Sequence, residues 1–142
     1  MSYIEKAKGV MSKKESIPNL VVELMDAALK FHILHLTVTG TGSYAAHKTL
    51  NDLYEALPDH ADTIAEGFQG ATGEIPKYPA NMPPEVCAPA MSSIKDAITY
   101  IDKLHSKVTR IQEQCMFSEI INDLDNIKSS LNSAKYKLKF LS

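Results

Sequence analysis

The chain has 142 residues, 44% of them apolar and 23% charged, with a formal net charge of -2. That length suits one domain with a single core, and the near-neutral balance excludes a protein built as a whole to coat nucleic acid. No run approaches the roughly 18 apolar residues of a membrane span, and the start MSYIEKAKGVMSKKES lacks the apolar core of a signal peptide, so a cytoplasmic setting is expected.

Residues 1–15 read as a flexible tail in which Lys6, Lys8, Lys13 and Lys14 face only Glu5 over the first 14 positions. Such a tail can touch DNA phosphates weakly and in a salt-sensitive way; a solvated terminus is the plainer reading. From 16 to 142 the pattern is helical, with no convincing strand. A first helix opens at Ser16-Ile17-Pro18, serine capping and proline in the first turn. Val21, Leu24, Ala28, Phe31, His35 and Val38 recur along it at helical intervals. Gly40-Thr41-Gly42 breaks the chain, and Ser43 is the expected cap of a second helix carrying Leu50, Leu53, Leu57, Ile64 and Phe68 to a stop near Gly70 or Gly73. Pro58 lies inside that run and predicts a bend, while the apolar phase continuing across it predicts one helix.

Residues 74–90 hold five prolines and predict an extended crossover, with Asn81 as cap of a short turn at Pro83-Pro84. A third helix is expected from about Met91 through Ile111, and a fourth over Phe117–Leu141. Their stripes lose phase between Ile111 and Phe117 without a glycine or proline, so one continuous helix is the alternative. Two helical hairpins joined by one long connection between helices 2 and 3 predict an all-α, ferritin-like four-helix bundle. Cys87 and Cys115 form neither a disulfide framework nor a CxxC pattern and are expected as small, semi-buried packing residues.

The residues able to carry chemistry fall on the first two helices. His35 lies five residues before Gly40 and His47 five after Gly42, so folding the helices back on each other brings both imidazoles to one level on facing walls. Asn51 follows one turn beyond His47. Asp62 and Glu66 are spaced i, i+4 and share a face. Imidazole with carboxylate suits iron and other first-row metals. His47 and Asp62, fifteen residues apart, are separated by about 22 Å of helix, so no ion bridges them within one chain. A two-fold dimer with antiparallel second helices places His35 and His47 of one copy against Asp62 and Glu66 of the other. Capping or packing histidines and a solvated acidic pair are the plainer readings. His32, His60 with Asp59, and His105 read as packing or surface groups. Helix 4 has no Glu-x-x-His, which argues against an intrachain di-iron centre.

The segment HILHLTVTGTGSYAAHKTLNDLYEALPDHADTIAEGFQGATG, residues 32–73, resembles the signature region of the Dps mini-ferritins, which shows a histidine, a glycine-containing break, H-x3-D and then D-x3-E. On this resemblance His35, His47, Asp62 and Glu66 fall on the family's ferroxidase ligands. Asn51 stands where that family has a second carboxylate, Leu36 where it has tryptophan, and Gly67 where it has arginine. The resemblance implies Fe(II) oxidation by peroxide or oxygen at an intersubunit site, iron storage, protection against oxidative stress and a homo-oligomer built from two-fold dimers, up to a dodecamer. The departures at Asn51 and Leu36 imply, as the alternative, a Dps-like structural assembly without functional metal. A DNA-associating protein working through its tail is the third reading.

Overall fold

The computed structural model describes residues 15–142; the lysine cluster of the expected tail lies outside the described residues. Four α-helices run over Ile17–Thr37 (α1), Ser43–Thr72 (α2), Ile94–Gln114 (α3) and Ser118–Phe140 (α4), with a 3-10 turn at Pro84–Val86 and no strand among the described residues. The all-helical expectation stands. No helix among the described residues is long and apolar enough to cross a membrane.

Local chemistry sets most boundaries. Ser16 caps α1, its hydroxyl accepting from the Asn19 amide at 3.3 Å. The α1–α2 reversal takes five residues, with left-handed backbone at Gly40 (φ 91°) and Gly42 (φ 80°). Gly42 is the N-cap of α2 without a side-chain bond, and Ser43, expected as the cap, is the first helical residue. The reversal needs a positive φ at the cap position, which glycine adopts at little cost. α2 continues through Pro58 as one helix and stops at Gly73, also left-handed, whose amide reaches Gln69 O at 2.9 Å.

The third helix starts later than the apolar pattern suggested. Ser93 caps Asp96 N at 3.1 Å while the Asp96 carboxylate returns to Ser92 N at 2.9 Å, and Met91 packs into the core ahead of the helix. The short turn starts after Pro83, without a side-chain cap from Asn81. α3 and α4 are separate helices: the chain is extended at Cys115 and Phe117, and the loss of phase there is the signature of that break. Gln112 spans the corner, donating to Ile121 O at 2.8 Å and Asp125 Oδ1 at 2.7 Å.

α1 packs on α2, α2 on α4 and α4 on α3, while α3 closes on α1 more sparsely. The end of α1, the starts of α2 and α3 and the end of α4 meet around one shallow hollow touching Val38, Gly42, Ser93 and Leu138. α2 and α3 therefore start from the same end, and residues 73–93 return along the bundle to make that possible. Asp26 of α1 holds this returning segment: its Oδ2 accepts from Ala88 N at 2.6 Å and from Lys30 Nζ at 2.9 Å. Val86 beside it is fully buried. A second buried acid, Glu23, joins α1 to α3, accepting from Tyr100 OH at 2.8 Å and Lys107 Nζ at 2.5 Å. Cys115 is buried as expected, whereas Cys87 is exposed, and both are free thiols. Glu15, assigned to the tail, pairs with Arg110 on α3 at 2.8 Å.

Candidate functional site

The α1–α2 hairpin brings His35 and His47 together, with ring centroids 3.6 Å apart and planes 21° from parallel. The contact is reciprocal. His35 Nδ1 lies 2.7 Å from His47 O, and His47 Nδ1 lies 3.0 Å from His35 O. A carbonyl can only accept, so each Nδ1 carries the proton, and in the neutral ring the lone pair sits on Nε2. The bond from His47 has a local cause. His35 lies in the last turn of α1 and its carbonyl lacks an intrahelical donor: the last bond of the ladder is Val38 N to Leu34 O, and Thr39, whose amide would serve His35 O, lies beyond the helix. His47 thus completes the C-terminus of α1, and His35, only 7% exposed, is locked beneath it.

Three further side chains extend this cluster. His32 stacks on Tyr54 with centroids 3.9 Å apart and planes 5° from parallel, and Tyr54 OH donates to Asn51 Oδ1 at 2.8 Å. Asn51 is therefore committed to a neighbour on its own helix. Asp62 and Glu66 are exposed on α2, several turns from the histidines. Among the described residues no three His, Cys, Asp or Glu side chains gather closely enough to hold a metal ion. His60 is half-buried against α4, with Nε2 2.8 Å from Ser130 Oγ. Burial lowers its pKa below the usual imidazole value, against the opposing pull of Asp59 and Asp123.

The feature that motif reading missed is the outer face of α1. Met25, Leu29, Ile33 and Leu36 are 47%, 54%, 48% and 70% exposed, and half-buried Val22 continues the line. At 100° per residue these five positions fall within an arc of about 80°, opposite core residue Phe31. The signal was present in the sequence: α1 carries two apolar phases, and a helix apolar on both sides is normally covered on both.

Comparison with known proteins corrects the resemblance drawn from residues 32–73. The chain is 30% identical over 115 residues to the uncharacterized 14.6 kDa protein in the mobD-ri intergenic region of Enterobacteria phage T4, covering 81% of each chain. Neither that relative nor the matching family model points to Dps or ferritin. Four polar residues at helical spacing were too few to carry the likeness, because i, i+4 acidic pairs and end-of-helix histidines recur on unrelated bundles. Residues 35–138 match the model of a family of unknown function (DUF5856), and the chain belongs to that family.

Proposed function

We propose that the protein is a helix-docking module, a bundle that works by seating an apolar helix on the outer face of α1. The observation that carries this reading is the run of four large apolar side chains, each about half exposed or more, along one line of one helix. Contiguous apolar surface of this kind marks interaction sites in soluble domains, and helix-on-groove recognition is read as anchors at three- and four-residue intervals. The rest of the hairpin suits a rigid platform: the reciprocal histidines and the Asp26–Ala88 bond hold α1 against its neighbours. Placing a photo-crosslinking side chain at position 29, and as control at exposed Asn132 on α4, in cells that make the protein tests it. A discrete adduct from position 29 alone, lost on adding Ile33→Glu, is expected. Equal adducts from both positions, or none from position 29, overturn the reading.

A second reading is favoured by the orientation of the imidazoles. With each Nδ1 donating to a carbonyl, the lone pair of the neutral His35 and His47 rings sits on Nε2, the arrangement that backbone carbonyls commonly impose on ligating histidines. In this reading the pair binds a first-row divalent ion, Fe(II) or Zn(II), with Asp62 and Glu66 of a second copy completing the shell and Asn51 as a weak outer ligand. Metal titration by calorimetry tests it: His47→Ala and Asp62→Ala should each weaken binding at least tenfold, and unchanged binding in both variants sinks it.

A further inference from the structure

The docking reading leaves the occupant of the α1 face open, and the spacing of its residues points to one. Val22, Met25, Leu29, Ile33 and Leu36 are separated by three, four, four and three residues. That pattern reads the same from either end, with Leu29 at its centre. A heptad seam, parallel or antiparallel, alternates three and four and would put its fourth member at position 32, whereas this stripe is its own mirror about Leu29. Position 32 is a histidine, and its ring is engaged with Tyr54 on the flank. Resting on the docking reading, we propose that the helix seated on α1 is α1 of a second copy, antiparallel, with a two-fold axis passing beside Leu29.

In that pairing Leu29 meets its own counterpart, Met25 faces Ile33, and Val22 faces Leu36, each pair formed twice as an isologous interface requires. No like charges are forced together. The stripe itself carries none, and the nearest ionic groups, Asp26 and Lys30, already pair with each other at 2.9 Å. Antiparallel alignment also sets the two helix dipoles against each other favourably. The stripe is about 21 Å long on one helix, a narrower contact than the roughly 800 Å² per partner of stable complexes. The dimer is accordingly reversible and concentration-dependent.

Sedimentation velocity on the full chain, from about 1 to 500 µM, tests this. The expected result is a rise in weight-average mass from 15.7 kDa toward twice that value. Leu29→Glu should stay monomeric at tenfold higher concentration while keeping its helical circular dichroism; should it misfold, Leu29→Gln serves the same purpose. Met25→Cys and Ile33→Cys chains, each also Cys87→Ser, then report orientation: mixed and mildly oxidised, they should form the 25–33 crosslink faster than 25–25 or 33–33. A monomer throughout, a dimer indifferent to both Leu29 substitutions, or preferential 25–25 crosslinking overturns the proposal. A monomer whose position-29 photoprobe still captures another protein would leave the docking reading standing and remove only the second copy.

Discussion

The carbonyl of His35 accepts from the His47 ring while the His35 ring donates back to the His47 carbonyl, at 3.0 and 2.7 Å. This pair fixes the level at which α1 and α2 face each other, because each ring is oriented by the other helix's main chain.

Removing either ring should therefore loosen the hairpin. His47→Ala leaves His35 O without its side-chain donor, and His35→Ala deletes a ring that is 7% exposed. Each should lower unfolding free energy by about 1–2 kcal/mol. Because the rings also stack, the double variant should lose less than the sum by about 0.5 kcal/mol or more. Urea unfolding of the four proteins measures both quantities. Strict additivity would mean that the two rings act as independent caps.

The Asp26 carboxylate gives a second prediction. It reaches across 62 positions of sequence to the Ala88 amide in the connection between α2 and α3. Asp26→Ala should cost about 1–3 kcal/mol, the usual penalty for orphaning a buried donor. It should also make residues 74–93 cleave faster under limited proteolysis. Asp26→Asn retains an oxygen acceptor and should lose less. Equal losses in both variants would mean that the charge, through its pair with Lys30, matters more than the bond to Ala88.

Periodicity recovers the bundle because burial in helices is repetitive. Leu50, Leu53, Leu57, Ile64 and Phe68 announce α2 by their spacing, and all are buried. On α1 the phase read as core, Val21, Leu24, Ala28 and Phe31, is the buried one; what went unread is the second phase, Met25 and Leu29, whose exposure depends on where α2 lies. Gly42 rather than Ser43 as the N-cap was hidden for a similar reason, since the reversal demands positive φ that residue type alone does not announce. His35 facing His47 was legible because two helices joined by a five-residue turn have little freedom in register. The metal reading began from residue type and helix geometry; the ferroxidase chemistry attached to it came from a likeness that comparison overturned.

His60 supplies a pH dependence. Burial at its contact with Ser130 lowers its pKa below the ordinary 6.5, with Asp59 and Asp123 acting in the opposite sense. The unfolded chain therefore binds this proton more readily than the folded one. Stability should fall as pH drops through about 6.5 and level off once the folded imidazole is also protonated. Urea midpoints at pH 7.5 and 5.5 measure the fall. His60→Gln, which can still bond to Ser130, should shrink the difference between the two midpoints. An unchanged difference would assign the acid sensitivity to other groups.

Gly42 tests how the ends of the bundle are held. A Cβ there would lie 2.6 Å from the Ser142 carbonyl carbon, while one at Gly40 would meet open space. Both positions have positive φ, 80° and 91°, so Gly40→Ala should show the backbone strain alone, about 1 kcal/mol. Gly42→Ala adds a steric conflict with the chain after α4 and should cost more. That excess has a specific remedy. The Ser142 hydroxyl donates to Leu138 O within its own turn, so removing Ser142 should restore most of the excess in Gly42→Ala and leave Gly40→Ala unchanged. Thermal unfolding of the four variants decides the matter: if deletion rescues neither glycine substitution, the close approach to the C-terminal residue contributes nothing, and glycine at 42 is needed for its backbone angle alone.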